Sequence, residues 1–329
     1  MAMIKGRTVR KILGGTVIGV TVLAAAAWIA FVPSAKEPPY EFVKVWGVKG
    51  SDPGQFSDPT GIAVVDGEVF VSDSRNGRIQ VFDLDGNFKR MFGTPGDKPG
   101  ELGRPMNLTV RDGELYVPEY FNDRIQVFGL DGTPKRIIGS SGSGPGQFNA
   151  PGGVAIDKTG DIYVADFYGQ RIQQLKADGA FVRQWGTTGR TSHEAGHFYY
   201  PTDVALAPTG DIYMADGYGN RIQVFSPDGA FLRKWGGPLA RGIYGPFNGW
   251  FNTVTSIAFG PEGTLFVADF HNHRVQTFRA DGAYLTSFGS EGNGPGRFNY
   301  VTAVAVAADG SVFAADFGNN RVEKWRARN

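Results

Sequence analysis

The sequence predicts an all-β protein, a six-bladed β-propeller with four antiparallel strands in each blade. A pattern of short strands recurs six times along the chain. Each repeat carries an acidic residue followed by an arginine five positions later, and successive acids lie 46 to 53 residues apart, close to the length of a propeller blade. The last repeat lacks a fourth strand, and the N-terminal part of the chain supplies one.

The third repeat shows the pattern most clearly. An apolar first strand is expected at residues 153–156, followed by strands at 162–165, 171–175 and 181–185 that are rich in β-branched and aromatic residues. An Asp-Gly pair at 178–179 separates the last two strands. Such a pair predicts a tight hairpin, because glycine tolerates the positive φ that these turns need.

The N-terminal strand is expected to close the ring. The sixth repeat stops after its third strand at residues 321–325, whereas residues 42–47 match the fourth strand of the other repeats. A ring closed in this way leaves no long unpaired strand edge. The predicted propeller therefore spans residues 42–326.

The repeat resembles that of the NHL-repeat family of six-bladed propellers. The resemblance rests on F-x-x-P-x-x-(V/I)-A, (I/V)-(Y/F)-V-A-D, N-x-R-(I/V)-Q-x-F and D-G-x-F-x-x-x-W-G, which cover nearly everything after residue 40. It implies the propeller fold but no single function. Members of this family include lyases, RNA-binding proteins, receptor sensor domains and protein-interaction scaffolds.

The first part of the chain predicts a membrane anchor. A basic N-terminus at residues 1–11 precedes an uncharged apolar stretch, and ~20 such residues cross a ~30 Å hydrocarbon core. We expect a transmembrane helix at 12–33 and a linker at 34–41. The positive-inside rule places the N-terminus in the cytoplasm and the propeller in the periplasm or outside the cell. A signal peptide cleaved after Ala35 is the alternative.

Composition narrows the choice of partners. The sequence contains no cysteine, so the chain forms no disulfide. Beyond residue 40 acidic residues slightly outnumber basic ones, whereas nucleic-acid binders carry a basic excess that neutralises phosphate. We therefore predict no nucleic-acid partner.

The acid–arginine pairs are the most regular charged feature. The two residues face each other across one tight connection, and a motif present in every blade is expected to stabilise the fold. Blade 2 has Pro118 before its acid, so this blade is expected to be irregular and to leave room for a pocket. The predicted pairs are Asp73–Arg78, Glu119–Arg124, Asp166–Arg171, Asp216–Arg221, Asp269–Arg274 and Asp316–Arg321.

The four histidines are weak candidates for a metal site. Residues 193–197 match the H-E-x-x-H motif of zinc proteases, but they lie in a glycine-rich linker where the required helix is not expected. A site that joins two histidine pairs on one face of the disc is conceivable, and exposed loop histidines are the alternative. The candidates are His193, His197, His271 and His273.

The resemblance also tests one enzyme branch of the family. It implies that the amidating lyases hold zinc with histidines just after the proline that opens the first strand, and zinc needs several converging donors. Aspartates and asparagines could supply oxygen ligands for calcium, but no spacing singles them out. We predict no cofactor and no catalytic residue. The matching positions contain no histidine and are Thr60, Met106, Gly152, Thr202, Thr255 and Thr302.

Two successive linkers, residues 187–197 and 237–250, are longer than the others. Exposed aromatic residues and arginine are typical of interface anchors, so we expect part of the second linker to bind a partner protein. The alternative is that these aromatics fold back as a loop core. The candidate partner-binding residues are Arg241, Tyr244, Phe247 and Trp250.

The linker to the propeller sets an expected orientation. Residues 33–41 reach at most ~30 Å when fully extended. We therefore expect the membrane on the side of the hairpin turns, near Arg326 and Arg328, with the long linkers directed away from it or sideways.

These inferences predict a non-enzymatic, single-pass membrane protein of the inner or plasma membrane. Its propeller is expected to act as an accessory or scaffold subunit of a membrane protein complex, a respiratory or photosynthetic one among the candidates, in contact with the lipid bilayer and with no small-molecule substrate assigned. The alternative is an extracytoplasmic metal-dependent hydrolase or lyase with its site in the central channel. A ligand-sensing domain is a third interpretation.

Overall fold

The computed structural model describes residues 31–328 as six four-stranded antiparallel sheets with two short parallel strand pairs between them. Each four-stranded sheet is one blade, so the predicted all-β six-bladed propeller is confirmed. From first to fourth strand, blades 1 to 3 consist of Pro59–Val65, Glu68–Asp73, Arg78–Asp83 and Phe88–Phe92; Thr109–Arg111, Glu114–Glu119, Arg124–Gly129 and Pro134–Ile138; and Pro151–Ile156, Ile162–Asp166, Arg171–Leu175 and Phe181–Gly186. Blades 4 to 6 consist of Asp203–Leu206, Ile212–Asp216, Arg221–Phe225 and Phe231–Trp235; Val254–Phe259, Leu265–Asp269, Arg274–Phe278 and Tyr284–Phe288; and Val301–Val306, Val312–Asp316, Arg321–Arg326 and Glu41–Trp46.

Alternating strand direction gives the disc two different faces. The linkers between blades and the connections from second to third strands lie on one face, which we call the linker face. The turns that join first to second strands and third to fourth strands lie on the other, the hairpin face. The first strands of neighbouring blades contact one another around the central axis.

The hydrophobic core consists of layers between adjacent blades. Between blades 6 and 1, for example, Ile62 and Phe82 pack in one buried cluster with Ala303 and Phe313. Each linker contributes a fully buried side chain just before the next blade begins, which fixes the blade to its predecessor by burying apolar area. These anchors are Phe56, Leu102, Phe148, Phe198, Phe251 and Phe298.

The ring is closed by the N-terminal strand, as predicted. Glu41–Trp46 pairs antiparallel with Arg321–Arg326, the third strand of blade 6. Trp46 also packs against Phe82 of blade 1 and Phe313 of blade 6. The first and last parts of the propeller therefore belong to one blade.

Blade 2 departs from its siblings, in agreement with the prediction from Pro118. Its first strand contains only three residues, Thr109–Arg111. Upstream of it, the Met106 amide donates a hydrogen bond of 2.9 Å to the Pro118 carbonyl. The chain thus approaches the axis here without a regular ladder.

Residues 33–40 run along the outside of blade 5. The Lys36 amide donates to the carbonyl of Leu285, in the fourth strand of that blade, at 2.7 Å. Nearer the linker face, the side-chain amide of Asn248 donates to the Pro33 carbonyl at 3.1 Å. The chain therefore reaches the propeller from the linker face and crosses the thickness of the disc before it enters the closing strand.

This path overturns the expected orientation of the long linkers. The predicted anchor ends against the linker at 237–250, so that linker does not point away from it. The limit of ~30 Å on residues 33–41 was sound, but the segment uses this reach to run along the disc edge. The prediction was wrong because it assumed that the segment stays on the face where the closing strand begins.

The transmembrane helix predicted at 12–33 falls almost wholly outside the described residues. Between residues 31 and 328, no helix is long and apolar enough to cross a bilayer.

Candidate functional site

All six acid–arginine pairs form, each within a single blade. The arginine Nε donates to a carboxylate oxygen at 2.6–2.9 Å, and each acidic side chain is inaccessible to solvent. The pair joins the end of the second strand to the start of the third, where the residues face each other in the ladder.

The pair in blade 3 shows what the motif does. Besides its contact with Asp166, Arg171 donates through Nη1 to the Ser143 carbonyl at 2.8 Å and through Nη2 to the Gln147 carbonyl at 2.7 Å. The other oxygen of Asp166 accepts from the Asn149 amide at 2.7 Å. The motif therefore fastens the preceding linker to the blade.

Blade 4 uses the same motif to hold both long linkers. The Arg221 guanidinium is fully buried and donates to the carbonyls of His193 and His197 in one linker. It also donates to the Ala240 carbonyl in the other linker, at 3.4 Å. The two long linkers thus lie side by side over this arginine.

Three polar side chains, Asn107, Asp203 and Ser256, meet at the axis and form a cluster that we call the polar plug. Asn107 Nδ2 donates to Asp203 Oδ2 at 2.6 Å and to Ser256 Oγ at 3.2 Å, which joins blades 2, 4 and 5. The Ile257 amide donates to the same Asp203 oxygen at 2.8 Å. These hydrogen bonds lower the pKa of Asp203, but burial has the larger effect and raises the pKa to about 7.

The plug needs small residues in the other blades. A Cβ atom on Gly153 would lie 2.1 Å from Asp203 Oδ1, so only glycine fits at this blade 3 position. The plug was not predicted, because the positions considered as zinc ligands lie one residue earlier in each blade. Alignment of the repeats would have shown Asn, Asp and Ser among Gly and Ala at this place.

The positions just before the plug line a cavity of about 250 Å³ that opens on the linker face. Four of them are threonines whose hydroxyls donate to backbone carbonyls of the next blade. They therefore connect neighbouring blades. The bonds are Thr60 to Pro105 (2.8 Å), Thr202 to Val254 (2.7 Å), Thr255 to Val301 (3.2 Å) and Thr302 to Pro59 (2.9 Å).

Aromatic rings surround the mouth of this cavity. The rings of blades 2 to 4 contact one another edge to face or at a tilt, with centroid distances of 5.0–6.2 Å. We call this continuous series of rings the aromatic rim. The Arg104 guanidinium lies over the Tyr120 ring at 5.4 Å. The rim consists of Tyr120, Phe121, Phe167, Tyr168, Tyr200 and Tyr218.

Much of the rim is open to solvent. Phe121 is 67% exposed, Tyr218 54% and Tyr168 46%. Grouped exposed aromatics of this kind mark interaction surfaces. Five of the six rim residues lie in the pair directly after a strand-ending acid, a place that the sequence pattern indicated only as a turn, whereas Tyr200 lies in a linker.

The histidines do not form the joint metal site that the sequence left open. His193 stacks on Tyr199, and His273 Nδ1 accepts from the Tyr300 amide at 3.0 Å. His271 lies at the cavity mouth and contacts the Thr253 hydroxyl at 3.1 Å, while His197 Nδ1 is buried. Across residues 31–328, no three His, Cys, Asp or Glu side chains are placed to hold a metal ion.

The four predicted partner-binding residues divide into two groups. Tyr244 is 67% exposed and Arg241 is also exposed. Phe247 and Trp250 are half-buried and pack against each other edge to face at 5.0 Å. The Trp250 indole N–H donates to the Phe31 carbonyl, so this side chain holds the chain's own N-terminal segment.

Comparison with protein families identifies the repeat. The NHL repeat matches residues 56–82, 148–175, 198–225 and 251–278. Each match begins at a linker anchor phenylalanine and ends near the close of the third strand. No curated protein sequence matches the chain.

Solved structures share the architecture at low identity. A structure of unknown function from Bacteroides thetaiotaomicron has a TM-score of 0.66 and 16% identity, covering 88% of this chain and 76% of that one. Virginiamycin B lyase from Staphylococcus aureus, in a catalytically inactive form with quinupristin, has a TM-score of 0.57 and 20% identity. The match covers 87% of this chain and 89% of that one. Hydrazine synthase of Kuenenia stuttgartiensis has a TM-score of 0.56 and 13% identity, and the match covers 83% of this chain and 96% of that one. At these identities the likeness shows the fold alone.

Proposed function

Because the chain is a six-bladed β-propeller built from NHL repeats, we propose that it is a membrane-anchored, extracytoplasmic interaction module and not an enzyme. Residues 12–33 anchor it in the inner or plasma membrane. The propeller serves as an accessory or scaffold subunit of a membrane protein complex, with bioenergetic complexes among the candidates. Its partner binds at the aromatic rim.

One observation carries the proposal: the aromatic rim and the end of the predicted anchor lie on the same face. Phe121, Tyr168 and Tyr218 are the exposed rings of the rim, and Tyr218 also lines the central cavity. The carbonyls of Phe31 and Pro33 are held on that face by Trp250 and Asn248. An anchored propeller therefore turns its exposed aromatics toward the membrane and toward proteins embedded in it.

The chemistry of the mouth favours binding. Aromatic side chains supply a large contact area at little conformational cost, and their exposed edges accept apolar and cationic groups of a partner. The threonine hydroxyls beneath them are already bonded to backbone carbonyls. Arg104 gives the rim a cation over Tyr120 that suits an acidic group on the partner.

Site-specific photocrosslinking in native membranes tests the partner surface. A benzophenone amino acid is placed at Tyr168 on the rim or, as the control, at Val182 on the outer strand of blade 3. The two positions have similar exposure, 46% and 39%. The expected result is one or a few adducts to membrane proteins from position 168 and none of them from position 182.

Alanine variants supply a second readout. The triple variant Phe121→Ala, Tyr168→Ala, Tyr218→Ala should abolish co-purification of the crosslinked protein. The control triple Phe88→Ala, Phe181→Ala, Phe231→Ala removes three partly exposed phenylalanines from blade edges and should retain it. Identical adducts from both crosslinking positions, or binding that survives the rim variant, would refute the rim as the partner surface.

The anchor has a separate test. Full-length protein should stay in the membrane pellet after an alkaline carbonate wash, and a variant without residues 2–30 should be released. Release of the full-length chain would contradict the anchor.

A further inference from the structure

We infer that the loop at residues 239–244 inserts its apolar side chains into the interface of the lipid bilayer, as a second membrane contact beside the anchor. This inference rests on the proposed membrane anchoring. The loop belongs to the long linker between blades 4 and 5.

The loop exposes large apolar side chains at its tip. Leu239 is 66% exposed, Tyr244 67% and Ile243 49%. Side chains of this kind in a compact exposed loop have an unfavourable hydration free energy that burial in lipid would remove. Tyrosine is also one of the residues enriched at membrane–water interfaces.

The backbone holds these side chains outward. Leu239 has φ 55° and ψ 17°, and Ala240 also has a positive φ of 48°. This left-handed conformation is costly for a residue other than glycine, on the order of 1–3 kcal/mol, and such strain concentrates at functional sites. The Ala240 and Arg241 amides donate to the carbonyls of Gly237 and Pro238, both at 3.3 Å, and the bond from Arg221 to the Ala240 carbonyl also fixes this conformation.

The position of the loop follows from Trp250. A Cβ atom on Gly245 would lie 2.7 Å from the Trp250 ring, and one on Gly237 would lie 3.8 Å from it, so the indole fills the neck of the loop. The same indole donates to the Phe31 carbonyl. One side chain therefore separates the loop from the end of the predicted anchor.

The length of the anchor sets the level of the bilayer. Residues 12–33 as a helix would span about 30 Å, the thickness of the hydrocarbon core, so its far end at Phe31 and Pro33 marks the interface. The neck of the loop is at this level. Arg241 at the tip is exposed and adds a positive charge, which favours the anionic headgroups of a bilayer surface.

A cysteine-free chain allows a direct test with single spin labels. Full-length protein is purified and reconstituted into nanodiscs of mixed neutral and anionic phospholipid, with no partner protein present. One variant carries Leu239→Cys at the loop tip. The control carries Asp178→Cys, an exposed turn residue on the hairpin face.

Collision of each label with dissolved oxygen, which partitions into lipid, is compared with collision with a water-soluble nickel chelate. At position 239 oxygen should be favoured several-fold over its ratio at position 178. Equal ratios at the two positions, or a label at 239 that is shielded from both reagents, would overturn the inference. A chain that fails to enter nanodiscs at all would instead show that the anchor is wrong.

A serine variant adds a second readout. Leu239→Ser, Ile243→Ser and Tyr244→Ser together should leave the thermal unfolding midpoint nearly unchanged, because all three side chains are exposed. A spin label is placed at position 241 by Arg241→Cys, once in the serine variant and once in the otherwise unchanged chain. In nanodiscs, the label in the serine variant should lose most of the preference for oxygen over the nickel chelate that the label in the unchanged chain shows. An unchanged preference would mean that the apolar tip does not drive insertion.

Discussion

Blades 3 and 6 share the four-stranded arrangement and the acid–arginine pair, but they hold different polar residues at the same buried position of the third strand. In blade 3, Gln173 donates to the Gln147 carbonyl at 2.7 Å and accepts from the Gly146 amide at 3.0 Å. In blade 6 the same place holds Glu323, which accepts from Arg321 at 2.7 Å. Burial raises the pKa of Glu323 to about 8, against the lowering effect of Arg321.

The difference shows what the repeat requires. A glutamine both donates and accepts, whereas a carboxylate only accepts. Glu323 keeps an accepting bond at this place through its contact with Arg321, but its other oxygen, Oε2, is buried and has no hydrogen-bond partner among the described residues. The repeat thus tolerates the loss of the bond that the glutamine donates, and the buried acid has a raised pKa there.

The largest expected effect comes from removing the feature that the two blades share. Arg171→Met leaves the buried carboxylate of Asp166 unpaired and removes the bonds to the preceding linker. We expect a loss of about 3–5 kcal/mol in the free energy of unfolding, measured by urea denaturation.

Arg75→Met is the matched control. Its ion pair with Asp58 has a similar distance, 2.8 Å, but the arginine side chain is 74% exposed. Its loss should cost less than about 1 kcal/mol. Equal costs for the two variants would show that burial does not determine the strength of these pairs.

A smaller effect is expected when blade 3 is converted to the blade 6 sequence. Gln173→Glu removes the donation to the Gln147 carbonyl and brings a second carboxyl beside Asp166. We expect a loss of about 1–3 kcal/mol at pH 8, decreasing toward pH 5 where the new acid is protonated. Denaturation midpoints at the two pH values measure it, and a loss independent of pH would contradict the explanation.

The reverse change in blade 6 should stabilise the protein at high pH. Below pH 4.5 Glu323 is protonated in both states. Between pH 4.5 and about 8 the unfolded chain releases the proton while the folded chain keeps it, so stability falls as pH rises, and above about 8 it levels off. Glu323→Gln removes this pH dependence and should gain stability at pH 8 relative to wild type, by at most about 4 kcal/mol because Arg321 also loses its charged partner.

The same titration series supplies the check for this variant. The stability difference between Glu323→Gln and wild type should be smallest near pH 4.5 and grow to its full value near pH 8. A constant difference across this range would mean that Glu323 is ionised in the folded protein.

The fold was predictable because its signals are local and repeated. The spacing of acid and arginine, the Asp-Gly turns and the missing fourth strand together specified six blades and a closing strand. The polar plug was not predictable in the same way. Asn107 and Asp203 are 96 residues apart, and only the closed ring brings them within 2.6 Å.

The partner surface was only partly predictable. Exposed aromatics in the long linker were recognised, but the function of Trp250 depends on where Phe31 lies, and no local pattern encodes that path. The rim residues come from three blades and form a surface only after the connections assemble around one mouth. Their exposure, unlike their identity, cannot be read from the repeat.

The closing strand also separates the synthesis of two paired strands in time. Glu41–Trp46 is made first among the propeller strands, but its partner Arg321–Arg326 is made last. At typical translation rates of about 5–20 residues per second, the first strand waits roughly 15–60 s for its place. Its charged residues Glu41 and Lys44 disfavour edge-to-edge pairing with a neighbouring chain during that wait.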